Sequence, residues 1–193
     1  MDKKEQILHA ALEVFAKQGL DKGKIADIAV KAGIGKGTIY EYFSSKEEIF
    51  KAIENMFIAD SINQIEKITA SNNTPAKKIE MIAQLSLDIH NHMGDSILII
   101  AELWAQNSRG AALGHDNTIF ADMYKDYYSL IEGVLKEGVA EGEFREMSIE
   151  GATTMLLAMI DGVVWQSVVL KNDEIFEHRK KEAIKAYING IRK

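Results

Sequence analysis

Cysteine is absent from all 193 residues, which excludes disulfides, thiolate metal sites and cysteine nucleophiles. Proline occurs once and no β-rich run is visible, so the chain reads as helical. Nothing approaches the ~20 uninterrupted apolar residues of a membrane span. The N-terminus, MDKKEQILHAALEVF, is charged and then amphipathic, without the continuous apolar segment of a signal peptide. A soluble, cytoplasmic protein without a membrane partner is the expectation. The motifs H-E-x-x-H and G-x-S-x-G and clustered carboxylate pairs are also missing. Of the histidines His9, His90, His92, His115 and His178, His90 and His92 stand two apart, about 200° around a helix, and cannot share a metal. Glu174 and His178 have i, i+4 spacing but sit near a helix start, where an exposed pair is the ordinary outcome. No metal, no cofactor and no enzymatic activity are expected.

Hydrophobic residues make up 47% of the chain and charged residues 27%, an ordinary globular balance. The net charge of −6 argues against a nucleic-acid binder until its distribution is read. Residues 1–50 hold eight lysines and eight acids, so the other 143 residues carry the whole −6. Within 22–46 five lysines (Lys22, Lys24, Lys31, Lys36, Lys46) face two acids, Asp27 and Glu41. That window, locally +3, permits contact with a polyanion.

Helical spacing organises the chain. Ile7, Ala10, Ala11, Val14 and Phe15 mark a first helix, 3–18, ending at Gly19. Ile25, Ile28, Ala29 and Ala32 mark a second, and a short third follows Gly35 with Ile39 and Phe43 inward. The three-residue turn Gly33-Ile34-Gly35 between them makes a helix-turn-helix signature, with small Ala29 allowing a close crossing. Ser44 or Ser45 caps a long helix running to about residue 70, with Glu47 and Glu48 at the positive end of its dipole. Further helices are expected from Thr74-Pro75 to about His92, from Gly94-Asp95-Ser96 into ILIIAELWAQ, and over about 117–141 after a polar stretch at 107–117. EGEFRE forms a turn, Ser148 caps the next helix, and Asn172-Asp173 caps the last. About nine helices and no strand are expected.

The stretch AGIGKGTIYEYF, residues 32–43, invites a phosphate-loop reading. G-x-x-x-x-G-K-[ST] would need glycine at 30 and Ser or Thr at 37, after a strand; the chain has Val30 and Gly37 after a helical pattern. A dinucleotide fingerprint fails for the same lack of a strand. A recognition helix fits better. Gly35 stands at the N-cap, and Lys36, Gly37 and Thr38 form the first turn, the end that enters the major groove. Gly37 lets backbone approach base edges, and Thr38 can meet a base or phosphate.

Residues 5–50 resemble the DNA-binding domain of TetR-type transcriptional regulators. AA-x-x-x-F, D-I-A, A-G-I-x-K-G-T-I-Y-x-Y-F and K-E-E all fall at that family's spacing. The resemblance implies an all-α protein with an N-terminal three-helix helix-turn-helix headpiece (1–46), joined by a long helix to a ligand-binding and dimerisation bundle (47–193). It implies a homodimer on a pseudo-palindromic double-stranded DNA operator, and a repressor released by a small, partly apolar effector. It assigns Tyr40 and Lys46 to phosphates, leaving Lys36, Gly37, Thr38 and Tyr42 to supply specificity. This chain departs from the pattern at Gly23-Lys24, where a hydroxyl usually caps the second helix, and at Gly35, where serine commonly caps the third. Lys24 then replaces the hydroxyl contact with a charge.

The same resemblance places an effector among the central helices and a dimer contact on the last two. Candidate pocket residues are Met81, Trp104, Phe120, Tyr124, Tyr128 and Met159, with His90, Asn107, Asp161 and Gln166 as polar groups. Candidate dimer residues are Gly151, Met155, Ala158, Gly162 and Trp165, spaced at three to four, with Phe176, Ile184 and Tyr187. Two other readings fit the same residues: a constitutive DNA-binding dimer, or a helical small-molecule-binding protein that has lost DNA binding.

Overall fold

The computed structural model describes the chain apart from residues 1, 89–96, 113–118 and 171–172, and apart from the side chains at 97, 100, 106, 107, 110–112, 119, 167, 168 and 173–175. Nine helices are present among the described residues: α1 (Lys3–Lys22), α2 (Ile25–Ala32), α3 (Lys36–Tyr42), α4 (Lys46–Thr69), α5 (Pro75–Leu87), α6 (Ile97–Ala112), α7 (Ile119–Ala140), α8 (Ile149–Leu170) and α9 (Asp173–Ile191). The expected all-α architecture holds. An antiparallel bridge between Phe144 and Arg192 is the β-type pairing the description contains.

Contacts gather the chain into two units, Met1–Ala59 with Met93–Ile119, and Asp60–His92 with Phe120–Lys193. The division falls inside α4. The boundary expected after residue 46 lies at the first residue of that helix.

In the first unit, α1 opens on a capping box: Asp2 accepts from the Glu5 amide at 2.7 Å, and Glu5 accepts from the Asp2 amide at 3.0 Å. Ile7, Phe15, Ile28, Ile39, Phe43, Ile49 and Ile53 are buried together with Phe50, whose ring meets Phe15 edge-on at 6.2 Å. Each such side chain contributes roughly 1.5–3 kcal/mol on burial. Gly33 closes α2 in the left-handed region, at φ 65° and ψ 33°, which glycine adopts without strain. Ser45 caps α4 by accepting from the Glu48 amide at 3.1 Å. The hydroxyl and amide of Ser44 both donate to Glu48 and hold its carboxyl below the usual range.

Two expected boundaries move. Gly19 breaks α1 with φ 76°, yet a further helical turn carries the chain to Lys22. The freed Leu20 amide donates to Glu102 of α6 at 3.3 Å, and the Leu20 carbonyl accepts from Lys46 of α4 at 2.7 Å. Contacts distant in sequence therefore hold the turn that Gly19 would otherwise end. Residues 107–112, expected within a polar connection, continue α6. Ser108 and Arg109 there are exposed, so no apolar stripe marks that turn as helical.

The core of the second unit draws on α4, α5, α7, α8 and α9, with Ile65, Ile79, Ile82, Leu87, Ile131, Leu135 and Leu156 almost wholly buried. Thr74 caps α5 by accepting from the Lys77 amide at 3.3 Å, and Ser148 caps α8 by accepting from the Gly151 amide at 3.1 Å. Two buried lysines tie helices together: Lys78 meets Glu137 at 2.9 Å, and Lys180 meets Asp88 and, at 2.7 Å, Glu177. Burial alone would lower the pKa of Lys180, but its two carboxylate partners hold it above the ordinary value.

Candidate nucleic-acid interface and helical-bundle site

The α3 helix is short and begins without a side-chain cap at Gly35, whose φ of −70° and ψ of 147° are extended. Its inward face is Ile39, fully buried, with Phe43 closing it. Tyr40 and Tyr42, turned to different sides of the helix by their i, i+2 spacing, are 50% and 43% exposed, so neither tyrosine is a core residue. The Lys36 ammonium lies 5.7 Å from the centre of the Tyr40 ring, within cation–π range. An added Cβ at Gly37 would meet no atom within 4 Å. The chain's own packing therefore does not require glycine there.

A depression of about 700 Å³ lies beside this helix, lined by Lys22, Lys24, Lys36, Tyr40 and Lys46 and by the first turn of α2. Four sequence candidates, at 24, 36, 40 and 46, are thus brought together from α2, α3 and α4. The acids on its wall are Asp21 and Asp27, which leaves the lining at +2. Lys24 is the N-cap of α2 and makes no capping hydrogen bond with its side chain. Lys46 differs: its ammonium donates to the carbonyls of Leu20 at 2.7 Å and Asp21 at 3.1 Å. An ammonium has three donors, so one remains for an anion while the other two position α4 against the end of α1. Gly37, Thr38 and Tyr42 do not line the depression. Val30 on α2, outside the depression, is 82% exposed, an apolar side chain that periodicity did not single out.

The glycine at position 23 has a packing reason. A Cβ there would lie 2.7 Å from Cδ1 of Phe15, so Gly23 belongs to the fit of α1 against the turn before α2.

In the second unit, Tyr124 of α7 meets Asp161 of α8, while Tyr124, Tyr128 and Met159 pack against the unit's core. The Tyr124 hydroxyl donates to Asp161 at 2.8 Å, and the Tyr128 hydroxyl lies 3.2 Å from that of Thr154. Tyr124 also meets Tyr127 edge-on at 6.4 Å, and the Tyr127 hydroxyl is hydrogen-bonded to Ser61 of α4. Burial pushes the Asp161 carboxyl up, against the Tyr124 hydrogen bond, and it pushes the Tyr124 and Tyr127 hydroxyls up as well. Ser61 and Thr154 escaped the sequence reading, and Tyr127, an alternative to Tyr128 on the face of this helix, was not among its site residues. Tyrosines at 124, 127 and 128 share a helix face by their i, i+3, i+4 spacing, which was a usable signal for Tyr127.

The remaining pocket candidates are dispersed. Phe120 is half-buried near the start of α7, and Gln166 is exposed. Met81 lies beside Asn73, whose amide donates to its sulfur at 3.6 Å. Trp104 belongs to α6 in the first unit. His90, and the side chain of Asn107, lie outside the described residues.

Of the dimer candidates, Met155 is 68% exposed, Gly151 and Ala158 are exposed, and Gly162 and Trp165 are half-buried. Phe176, Ile184 and Tyr187 instead lie in the chain's own interior. The Tyr187 hydroxyl donates to the Ala152 carbonyl at 2.8 Å, tying α9 to α8 within one chain.

Comparison with known proteins bears on the family and the fold. The model for "Bacterial regulatory proteins, tetR family" matches residues 7–53, and that for "BetI-type transcriptional repressor, C-terminal" matches residues 79–193. The chain is 29% identical over 175 residues to the fatty acid metabolism regulator protein of Bacillus subtilis (strain 168), covering 89% of this chain and 86% of that relative. It is similar in fold to FadR of Bacillus subtilis solved in complex with stearoyl-CoA, with TM-score 0.75, 24% identity and 97% and 99% of the two chains covered. A Saccharomonospora viridis protein solved in complex with choline gives TM-score 0.84, 20% identity and 98% and 97% coverage. Since the two family models meet the chain at both ends, the second over more than half its length, this chain belongs to the TetR family of transcriptional regulators.

Proposed function

We propose that the chain is a DNA-binding transcriptional repressor that acts as a homodimer on a pseudo-palindromic operator and is released by a small, partly apolar effector. Residues 1–46 bind DNA; residues 47–193 dimerise and hold the effector. The observation that carries this reading is the meeting of Lys24, Lys36, Tyr40 and Lys46 around one depression at the open end of α3. Ammonium and phenol groups so grouped suit phosphate oxygens and set register, while Lys36, Gly37 and Thr38 on the first turn of α3, with Tyr42 at its last residue, read base edges. The exposed stripe of Gly151, Met155 and Ala158 on α8 supports self-association. Relatives solved with stearoyl-CoA and with choline support an effector bound in the helical bundle. The effector must bind the DNA-competent and DNA-incompetent states with different affinity, or nothing shifts. α4 provides the route, since it begins at Lys46 and its later turns join the second unit's core.

Titration of the full chain against DNA upstream of its own coding region, at several salt concentrations, tests the reading. Specific binding should fall steeply with salt, and Lys46→Ala should lower the slope by about one. Unchanged binding by Lys36→Ala, Tyr40→Phe and Lys46→Ala together would remove the site assignment.

A further inference from the structure

Gly19 interrupts the hydrogen-bond ladder of α1 with φ 76° and ψ 161°, and one last helical turn follows it, closed where the Gly23 amide donates to the Gly19 carbonyl at 3.0 Å. A helix that restarts leaves its first amides without partners inside the helix. An oxygen-bearing side chain at the N-cap usually takes one of them, and Gly19 has no side chain to offer. Glu102 of α6 supplies the oxygen instead. Its carboxylate accepts from the Leu20 amide at 3.3 Å, across 82 residues of sequence. A carboxylate suits the positive end of the turn's peptide dipoles, as the Lys46 ammonium suits the carbonyls of Leu20 and Asp21. One short turn is thus held by an acid of α6 and a base of α4.

That turn leads directly into the depression beside α3. Asp21, Lys22, Gly23 and Lys24 lie on its wall, with Lys46 beside them. A Cβ at Gly23 would collide with Phe15, so the segment is pressed closely against α1. Glu102 does not line the depression and is half-buried. Contacts place α6 in the same unit as α1, α2 and α3, whereas the headpiece read from the sequence ends at residue 46 and lacks this carboxylate.

We infer that Glu102 is a positioning residue for DNA contact: by capping the turn after Gly19 it sets where Lys46 meets phosphate. This rests on the reading of the depression as a phosphate-binding surface and adds to it a residue from α6. The expected sign is opposite to that of bulk electrostatics. Removing an acid near a DNA-binding surface ordinarily strengthens binding, because phosphate is repelled less. Removing Glu102 weakens it, because the carbonyls that hold Lys46 lose their anchor. Glutamine keeps an oxygen acceptor for the Leu20 amide and sheds only the charge, so it keeps the turn in place.

The test is titration of the full-length protein and its variants against the DNA upstream of its coding region, at several salt concentrations, with circular dichroism showing each variant folded. Glu102→Ala should lose about three- to tenfold in affinity, the scale of one lost hydrogen bond, and its salt dependence should become shallower, as in Lys46→Ala. Glu102→Met, of similar volume but without an oxygen, should match it, and replaces it if the alanine variant does not fold. Glu102→Gln should stay within about twofold of the parent or bind more tightly. In a Lys46→Ala background, Glu102→Ala should cost less than about twofold, since residues acting as one unit are not additive. Equal or tighter binding by Glu102→Ala or Glu102→Met would overturn the positioning role, as would a glutamine variant as weak as alanine, or losses at 102 and 46 that simply add. Each of those results leaves the repressor reading standing, because the parent still binds. Failure of the parent to bind the upstream DNA would end that reading, and the positioning role with it.

Discussion

Gly138 and Gly37 are both helical glycines, and their surroundings make opposite demands. A Cβ at Gly138 would fall 2.2 Å from the buried Phe144 ring, whereas one at Gly37 would meet nothing within 4 Å. Gly138→Ala should therefore cost about 1–3 kcal/mol through overpacking, read as a lower midpoint in urea. Gly37→Ala should stabilise the folded chain by up to ~1 kcal/mol through helix propensity, less at a helix end. Its DNA affinity should nevertheless fall, because the proposed interface turns the added methyl to the groove. A variant that is more stable and binds as well as the parent would exclude Gly37 from the interface. Asp161 makes a further residue-scale statement. Its carboxyl titrates above the ordinary aspartate value of 3.8 because burial disfavours the charge. The folded state thus takes up this proton at higher pH than the unfolded state. Stability falls as pH rises through that window, and the penalty persists at neutral pH. Asp161→Asn should melt above the parent at pH 7, with the difference vanishing below the unfolded aspartate value.

At the scale of elements, most of the helices were legible because their caps and stripes are local. Ser45, Thr74 and Ser148 each cap the helix that the sequence marks for them, and Gly33 turns the chain where the motif needs it. The helical turn beyond Gly19 was not legible, because Glu102 and Lys46 fix it from 82 and 26 residues away. The site divides along the same line. Lys24, Lys36, Tyr40 and Lys46 could be named from a motif within one short segment. The partners of Asp161 come from α7, and Ser61 meets Tyr127 across helices, which spacing along the chain does not reveal. Phe176, Ile184 and Tyr187 of α9 are buried within the chain itself, and an apolar stripe looks alike whether it covers its own core or a partner. Lys46 and Lys24 provide an element-scale test. Lys46 holds two carbonyls at the end of α1, while the Lys24 side chain makes no capping hydrogen bond. Both alanine variants should weaken DNA binding, but only Lys46→Ala should also lose stability, by about 1–2 kcal/mol. Paired urea denaturation and DNA titration would separate the two roles.

For the molecule as a whole, the net charge of −6 hides a lysine-rich window of +3 between residues 22 and 46. Acidic character elsewhere disfavours indiscriminate attachment to polyanions, so binding depends on how few surfaces carry the positive sign. α4 spans this contrast. It runs 24 residues from Lys46 to Thr69, roughly 36 Å at ~1.5 Å per residue, without a glycine or proline. Ile49, Phe50 and Ile53 seat its first half in one core, and Ile65 seats its second half in another. Such a rod has a fixed phase at both ends. Inserting one residue between Ala59 and Asp60 would turn the second half of α4 by about 100° relative to the first. Seven inserted residues bring the phase back to within about 20°, lengthening the rod while keeping both faces inward. Each half keeps its own buried face in either variant, so thermal unfolding should stay cooperative in both, and a non-cooperative melt of the single insertion would show that the two cores depend on one another. Along this helix, then, the chain is free to vary its outward letters, while two separate cores hold the inward ones.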